Sequence, residues 1–372
     1  MRHTPKLRVL VNGPLPPPVG GMQTYCVEYL GSSLPMVVDV TMCRAILIKS
    51  VATTTGPVRL GLRMLNSVLI TLVWSFMLLV KWPHIAHIHT NSYTGFYVKA
   101  VMGLLARMVG TKTVLHIHGA EFRLFYGGTP WILRWTIPRL ISASSKAIVL
   151  SKEWREYFVS IGVKPERIAV MTNSVFVPEC VDERKEDEDV MVLFMSRMEK
   201  RKGIEELASV IERQSEALRS CRFILAGPKS HEWHAIAGRL CRDGDQALAE
   251  MPGSVEGEVK DRLYREADIY MLQSYAEGMP IGLLEAMSYG LACITTPVGG
   301  IPDVVQDGEN GVLLTPGDVD GLAEALERLV KDPAYRRQLG KAARATIERK
   351  YNWATRAKEM HQLYLGLLGR DA

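Results

Sequence analysis

The feature that most constrains this chain is a regular alternation of short apolar runs with helix-length segments. The runs fall at Leu7–Val11, Ile85–His89, Thr113–His118, Ala147–Leu150 and Ile168–Met171, then at Val190–Met195, Arg222–Ala226, Asp268–Leu272, Ala292–Thr295 and Gly311–Leu314. Strands buried on both faces need no polar alternation, and the helical segments between them supply the cover, so the rhythm predicts parallel α/β structure. It breaks once, at PECVDERKEDED between Pro178 and Asp189, which is charged, turn-prone and without a periodic apolar face. A chain of 372 residues is long for one core. The expectation is two doubly wound Rossmann-like domains, 1–177 and 190–352, joined by a linker at 178–189. Ligands of such sheets bind at the carboxyl ends of the strands, so a cleft between the domains is the expected site.

Charge adds what the apolar pattern omits. Residues 1–175 hold 19 Lys/Arg against 6 Asp/Glu, whereas residues 176–372 hold 26 against 34, so a total of +5 hides a polarised chain. A basic half implies an anionic partner: a membrane surface, a phosphorylated substrate or nucleic acid. No interleaved aromatic and basic motif supports nucleic acid, and the expectation is none. Six scattered cysteines without a C-x-x-C pair suggest neither a disulfide framework nor a zinc ribbon, which fits a reducing, cytoplasmic setting. The opening MRHTPKLRVLVNG has too short an apolar run for a signal peptide. The segment Leu65–Val80 is apolar nearly all round, with Arg59 and Arg63 before it and Lys81-Trp82 after it. It is shorter than the ~20 residues needed to span a bilayer, and it is read as a buried helix of the first domain; partial insertion at a membrane interface is the alternative.

Candidate chemistry gathers in four places. Asn12–Gly21 (NGPLPPPVGG) joins the first strand to a helix pattern, and Gly20-Gly21 lets backbone approach a ligand at that helix start. It is neither G-x-G-x-x-G nor a P-loop. Arg197 and Lys202, in SRMEKRKG, follow a strand and are placed to neutralise a leaving pyrophosphate. The stretch EGMPIGLLEAMSYG sets Glu277 and Glu285 eight residues apart. With a helix starting near Ile281, one acid lies in the loop and the other on the first turns, flanking a helix N-terminus suited to an anionic ligand and leaving both carboxylates for neighbouring hydroxyls. Pro280 has no N–H, so Gly278, Met279, Ile281 and Gly282 are the backbone donors. The fourth place is TTPVGGIPDVV, where Gly299-Gly300 sits between a strand and a short helix.

The ordered set SRMEKRKG, LAGP, GEVKDRLYREADIYMLQSYAEGMPIGLLEAM and GLACITTPVGGIPDVVQDGENGVLL resembles the C-terminal domain of retaining family-4 glycosyltransferases of GT-B fold, over roughly residues 190–350. The first half matches more loosely, through PVGG and HIHGAEF. The resemblance implies roles by position. Glu285 would bind the ribose of a nucleotide sugar and Glu277 the transferred sugar, while Arg197 and Lys202 hold the pyrophosphate. His118 would lie near the transferred sugar, and Gly21 would face the donor phosphates. A last helix at about 353–372 would pack back on the first domain, which would bind the acceptor. This sequence departs from many relatives at Gln273-Ser274, where they have Pro-Ser, and at Met279, where an aromatic is common.

The implied reaction is retaining, hexosyltransferase-type transfer from a nucleotide diphosphate sugar to an acceptor hydroxyl. No second carboxylate is evident as a nucleophile, which points to front-face attack within an ion pair. Charge favours a lipid-linked saccharide acceptor of cell-surface polysaccharide or glycolipid synthesis, handled at the inner face of the membrane. A soluble acceptor, a GT-B-like sugar-nucleotide epimerase and a noncatalytic nucleotide-sugar-binding protein stay open at this point. No metal or other cofactor is expected. His87-Ile-His89 and His116-Ile-His118 each set two imidazoles on one strand face without a completing ligand set. The D-x-D strings at Asp187, Asp243 and Asp318 are read as solvated charge.

Overall fold

A computed structural model of the chain describes residues 6–17, 20–48, 56–179, 189–241 and 247–370. Along the chain run β1 (Leu7–Gly13), α1 (Gly21–Gly31), α2 (Leu34–Val37), β2 (Val38–Arg44), α3 (Gly56–Lys81), β3 (Ile85–Thr90), α4 (Thr94–Met108) and β4 (Lys112–Ile117). Then come α5 (Phe122–Gly128), α6 (Trp131–Arg134), α7 (Thr136–Ala143), β5 (Lys146–Val149), α8 (Lys152–Ser160) and β6 (Ile168–Val170). The later part holds β7 (Met191–Met195), α9 (Ile204–Arg213), β8 (Arg222–Ala226), α10 (Trp233–Leu240), β9 (Glu250–Gly253), α11 (Gly257–Glu266) and β10 (Ile269–Leu272). It ends with α12 (Ile281–Ser288), β11 (Ala292–Thr295), β12 (Val312–Leu313), α13 (Val319–Lys331), α14 (Pro333–Lys350) and α15 (Trp353–Leu367).

The chain divides into two compact units, Met1–Asn173 with Trp353–Ala372, and Ser174–Asn352. Each is built on a six-stranded sheet whose pairs are parallel, ordered β2-β1-β3-β4-β5-β6 and β12-β11-β10-β7-β8-β9. Ten of the twelve strands among the described residues coincide with the apolar runs. The other two, β2 and β9, are edge strands, each paired on one side. Their burial is interrupted, and β9 carries Pro252, so neither presents a continuous apolar run.

In the second sheet the order reverses between β7 and β10, which lie side by side. Loops leaving their carboxyl ends therefore emerge next to one another, at the position where doubly wound sheets hold ligands. Local signals set the helix starts: Asp318 Oδ1 accepts from the Gly321 N–H at 2.8 Å to open α13, and Asp332 caps Tyr335 at 2.9 Å before Pro333 opens α14. The D-x-D string at Asp318 is thus a helix cap. Those at Asp187 and Asp243, like most of the charged linker and Cys180, lie outside the described residues.

The reading of Leu65–Val80 as a buried helix is overturned. Within the 26 residues of α3, the stripe Asn66, Ile70, Trp74, Leu78 is buried at four-residue spacing. The opposite face is apolar and exposed. Apolar composition told that the helix avoids water but not how many of its faces have a neighbour. Val58–Lys81 passes the length and hydropathy expected of a membrane-crossing helix.

Candidate functional site

At the reversal point of the second unit, β7 delivers Arg197 and a one-turn 3-10 helix, Lys200–Lys202, while β10 delivers Gln273–Pro280. Lys202 Nζ meets Glu277 Oε1 at 2.5 Å, and Ser274 Oγ donates to the same oxygen at 2.7 Å. Lys202 is 14% exposed and Glu277 6%, so the pair is largely desolvated. Arg201 ties the two loops by donating to the Ala276 carbonyl at 2.8 Å. Two glycines permit this approach. Gly203 has φ +78, and a Cβ there would come 2.4 Å from the Gln273 carbonyl oxygen; Gly299 has φ +60, and its Cβ would come 1.9 Å from that of Glu277.

The helix α12 starts at Ile281, the start on which the reading of the acid pair is conditioned, with Glu277 in the loop before it and Glu285 within it. Pro280 occupies the cap position without a side-chain cap bond. The first-turn N–H groups of Ile281 and Gly282 have no carbonyl four residues back within the helix. Gly278 and Met279 precede it; the Gly278 carbonyl accepts from the Gly300 N–H at 2.7 Å, and the Met279 side chain is buried.

Neither carboxylate is free, contrary to the expectation from spacing. Lys260 Nζ bonds Glu285 Oε1 at 2.5 Å, and the Tyr264 hydroxyl donates to Oε2 at 3.1 Å. Lys260 and Tyr264 lie four apart on α11 and so share a face. The physical reason is desolvation, since a carboxylate this far from water must be paired. An ionised carboxylate has about four acceptor positions, so both acids can still take hydroxyls. Burial and the neighbouring Glu285 charge push the Tyr264 hydroxyl well above its usual range, which keeps it a donor. Arg197, more than half exposed, pairs with Glu199 at 3.3 Å. Lys260 and Tyr264 carry no signal in the sequence beyond their four-residue spacing, and Ser274 enters the sequence reading only within the Gln273-Ser274 departure, without a site role.

In the first unit, β3 and β4 pair with His89 opposite His116, and alternation sets His87, His89, His116 and His118 on one face. His87 Nε2 lies 3.2 Å from His116 Nδ1, His89 Nδ1 lies 2.9 Å from His118 Nε2, and His87 Nδ1 lies 2.5 Å from the Tyr364 hydroxyl of α15. Tyr25 of α1 packs its ring on His89, His116 and His118. Burial pushes His87 and His118 down to about 3 and His89 and His116 well below the usual imidazole range, so the row is neutral. Among the described residues, His87, His89 and His116 form the one group whose ligand atoms, within 4.8 Å of one another, could surround a cation. The contacts above already engage five of the eight ring nitrogens. His118 is the half-buried end of the row, just past β4.

Gly21 opens α1, follows Gly20, and is exposed; Pro18 and Val19 of the same loop lie outside the described residues. A Cβ on Gly21 would meet nothing within 4 Å. Gly21→Ala should therefore leave the melting temperature unchanged or slightly raised, since alanine favours a helix start by up to ~1 kcal/mol over glycine. If the donor phosphates pass this point, donor KM should rise severalfold in the same variant, which steady-state kinetics beside a thermal melt would separate.

Two family models match the chain: Glycosyl transferases group 1 over residues 180–346, and a Glycosyl transferase 4-like domain over residues 38–174. An uncharacterized glycosyltransferase of Methanocaldococcus jannaschii is 27% identical over 245 residues, 61% of this chain and 62% of the relative. The sulfoquinovosyl transferase of Arabidopsis thaliana is 33% identical over 171 residues, 45% of this chain and 32% of the relative. The chain thus spans less than two thirds of either curated relative. Among solved structures, a sucrose-phosphate synthase from Thermosynechococcus elongatus matches with a TM-score of 0.77 at 20% identity, covering 98% of this chain and 100% of that one, a likeness of fold. With both units matched in order and the fold shared along nearly the whole length, the chain belongs to the family-4-type glycosyltransferases of GT-B fold.

Proposed function

We propose that this glycosyltransferase is a retaining, hexosyltransferase-type enzyme that moves a sugar from a nucleotide diphosphate sugar to the hydroxyl of a lipid-linked saccharide, at the inner face of a membrane. The observation that carries the donor half is the paired-carboxylate frame around the α12 N-terminus, Lys202 with Glu277 on one side and Lys260 with Tyr264 and Glu285 on the other. Departure of a nucleoside diphosphate builds negative charge. Lys202, Arg197 and the first-turn N–H groups of α12 offer fixed positive partners for it, and such preorganised groups lower a barrier because they need not reorient. Glu277 takes the hydroxyls of the transferred sugar and Glu285 those of the ribose, with Lys260 and Tyr264 holding Glu285 in place. His118 of the first unit is assigned to the transferred sugar by the family resemblance alone. Attack on the donor's front face within an ion pair needs no protein nucleophile, and this route requires no metal.

The acceptor half rests on the basic balance of residues 1–175. Incubating the purified chain with UDP-, GDP- and ADP-sugars, with and without membrane lipid extract, tests both halves by mass spectrometry. One donor consumed only with lipid, giving labelled lipid, is the expected result. Conversion without lipid would replace the lipid acceptor by a soluble one or by epimerisation. Binding without turnover on any acceptor would overturn the enzyme reading.

A further inference from the structure

We infer that the outer face of α3 is a membrane-docking surface that lies flat in the interface of an anionic bilayer. At 26 residues α3 runs about 39 Å. Its inner stripe is committed to the first unit: Trp74 is fully buried and its indole N–H donates to the Met102 carbonyl at 3.0 Å, and Asn66 Oδ1 accepts from the Leu47 and Ile48 N–H groups at 2.9 and 3.0 Å. A helix so held cannot cross a bilayer without unpacking the unit.

The outer face has the chemistry of a surface meant for hydrocarbon. Met64, Leu65, Val68, Leu72, Phe76 and Val80 are between 50% and 66% exposed. The hydroxyls on its flank are turned inward to the helix itself: Ser67, Thr71 and Ser75 each donate to the carbonyl four residues back, at 2.8–2.9 Å. Between Leu65 and Val80 no charged side chain interrupts the face. Trp82, 64% exposed, follows directly, as aromatic side chains do at the headgroup level. A contiguous exposed apolar surface of this length marks an interaction site.

Charge selects the occupant. Residues 40–152 contain 13 Lys/Arg and a single acid, Glu121. The crossovers β2–α3–β3 and β3–α4–β4 run the same way along the sheet, so their right-handedness sets α3 and α4 on one face, where they pack together. A second copy of the chain would set Arg59, Arg63 and Lys81 of one α3 against those of the other. An anionic lipid surface instead complements them, each basic group near it adding ~1 kcal/mol. The inference deepens the lipid-acceptor reading above, but it depends on no catalytic property of the chain.

The test is flotation of the full chain with vesicles of phosphatidylcholine alone and of phosphatidylcholine with 30% phosphatidylglycerol, which contain neither donor nor acceptor. Binding to the anionic vesicles is expected, weakened but not abolished by 1 M NaCl. The double variant L72E/F76E, which changes only exposed positions, should keep the wild-type melt and bind at least tenfold more weakly. Equal binding by the double variant, or no binding by the wild type, would overturn the inference. So would a concentration-dependent dimer dissolved by L72E/F76E, which would assign the face to a second copy. Because no sugar is present, a failure here leaves the transferase reading standing, and the converse also holds.

Discussion

Lys202→Met should lower kcat/KM for the nucleotide sugar by about 10²–10³, the usual cost of removing one preorganised partner of a developing charge. It should also destabilise the second unit, because Glu277 then keeps its buried charge with only Ser274 at 2.7 Å to hold it. Breaking such a pair from one side costs about 3 kcal/mol, or roughly 5–10 °C for a unit of this size. The two effects are separable. In K202M/E277Q the uncompensated carboxylate is gone, and the melting temperature should recover to within a few degrees while turnover stays low. Activity that returned together with stability would reduce Lys202 to a structural partner of Glu277. Calorimetry beside kinetics at 20 °C, well below any transition, reads both.

The first unit should be acid-labile. Its fold buries His87, His89 and His116 almost completely and holds all three neutral, with His87 pushed down to about 3. The surroundings are phenols and cations rather than carboxylates: Tyr364 bonds His87, Tyr25 faces the row, and the charges that act on His89 and His116 include Lys99 and Arg356, both of which lower them further. An unfolded chain takes up these protons near pH 6.5. The unfolded state therefore binds more protons than the folded one at any pH between about 3 and 6.5, so stability is complete above that range and falls as the pH drops through it. A buried histidine held neutral loses about 1.4 kcal/mol of stability per pH unit across such a window, and His89 and His116 act in the same direction as His87. His118, half-buried, adds less. Hydrogen exchange at pH 7.5 and 5.0 should show β3 and β4 losing protection while β7 and β10 keep theirs, since the second unit's His231 and His234 are exposed. Equal protection at both pH values would mean that water reaches the row.

How legible the molecule was depended on whether a property is carried by one segment or by two. Strands buried on both faces announce themselves as apolar runs, which is why the interior strands appeared within a residue or two of their observed limits; the edges β6 and β12 appeared as well because their own residues are apolar. The edges β2 and β9 each lean on a single neighbour and keep polar residues. The start of α12 at Ile281 is local, set by Pro280 at the cap position and the loop before it. That Glu285 is held by Lys260, 25 residues earlier, is tertiary information. The same limit applies to α3: its composition was plain, but the stripe through Trp74 that packs and the opposite stripe that does not are distinguished only by the neighbours of each.

The return of the chain to its first unit has a consequence for how the protein is made. The Trp353 indole reaches Glu28 at 2.9 Å, Arg356 donates to Thr172 Oγ1 at 2.7 Å, and the Tyr364 hydroxyl lies 3.0 Å from that of Tyr29. During synthesis on the ribosome, everything from β1 to β6 emerges before α15 exists, so His87 waits without its Tyr364 partner while the whole second unit is translated. At 5–20 residues per second the interval is about 10–35 s for the 179 residues of Ser174–Asn352. The later-made unit can close first, and the earlier one becomes complete only when α15 docks. Nascent chains halted before Trp353 should therefore be the ones that chaperones hold longest.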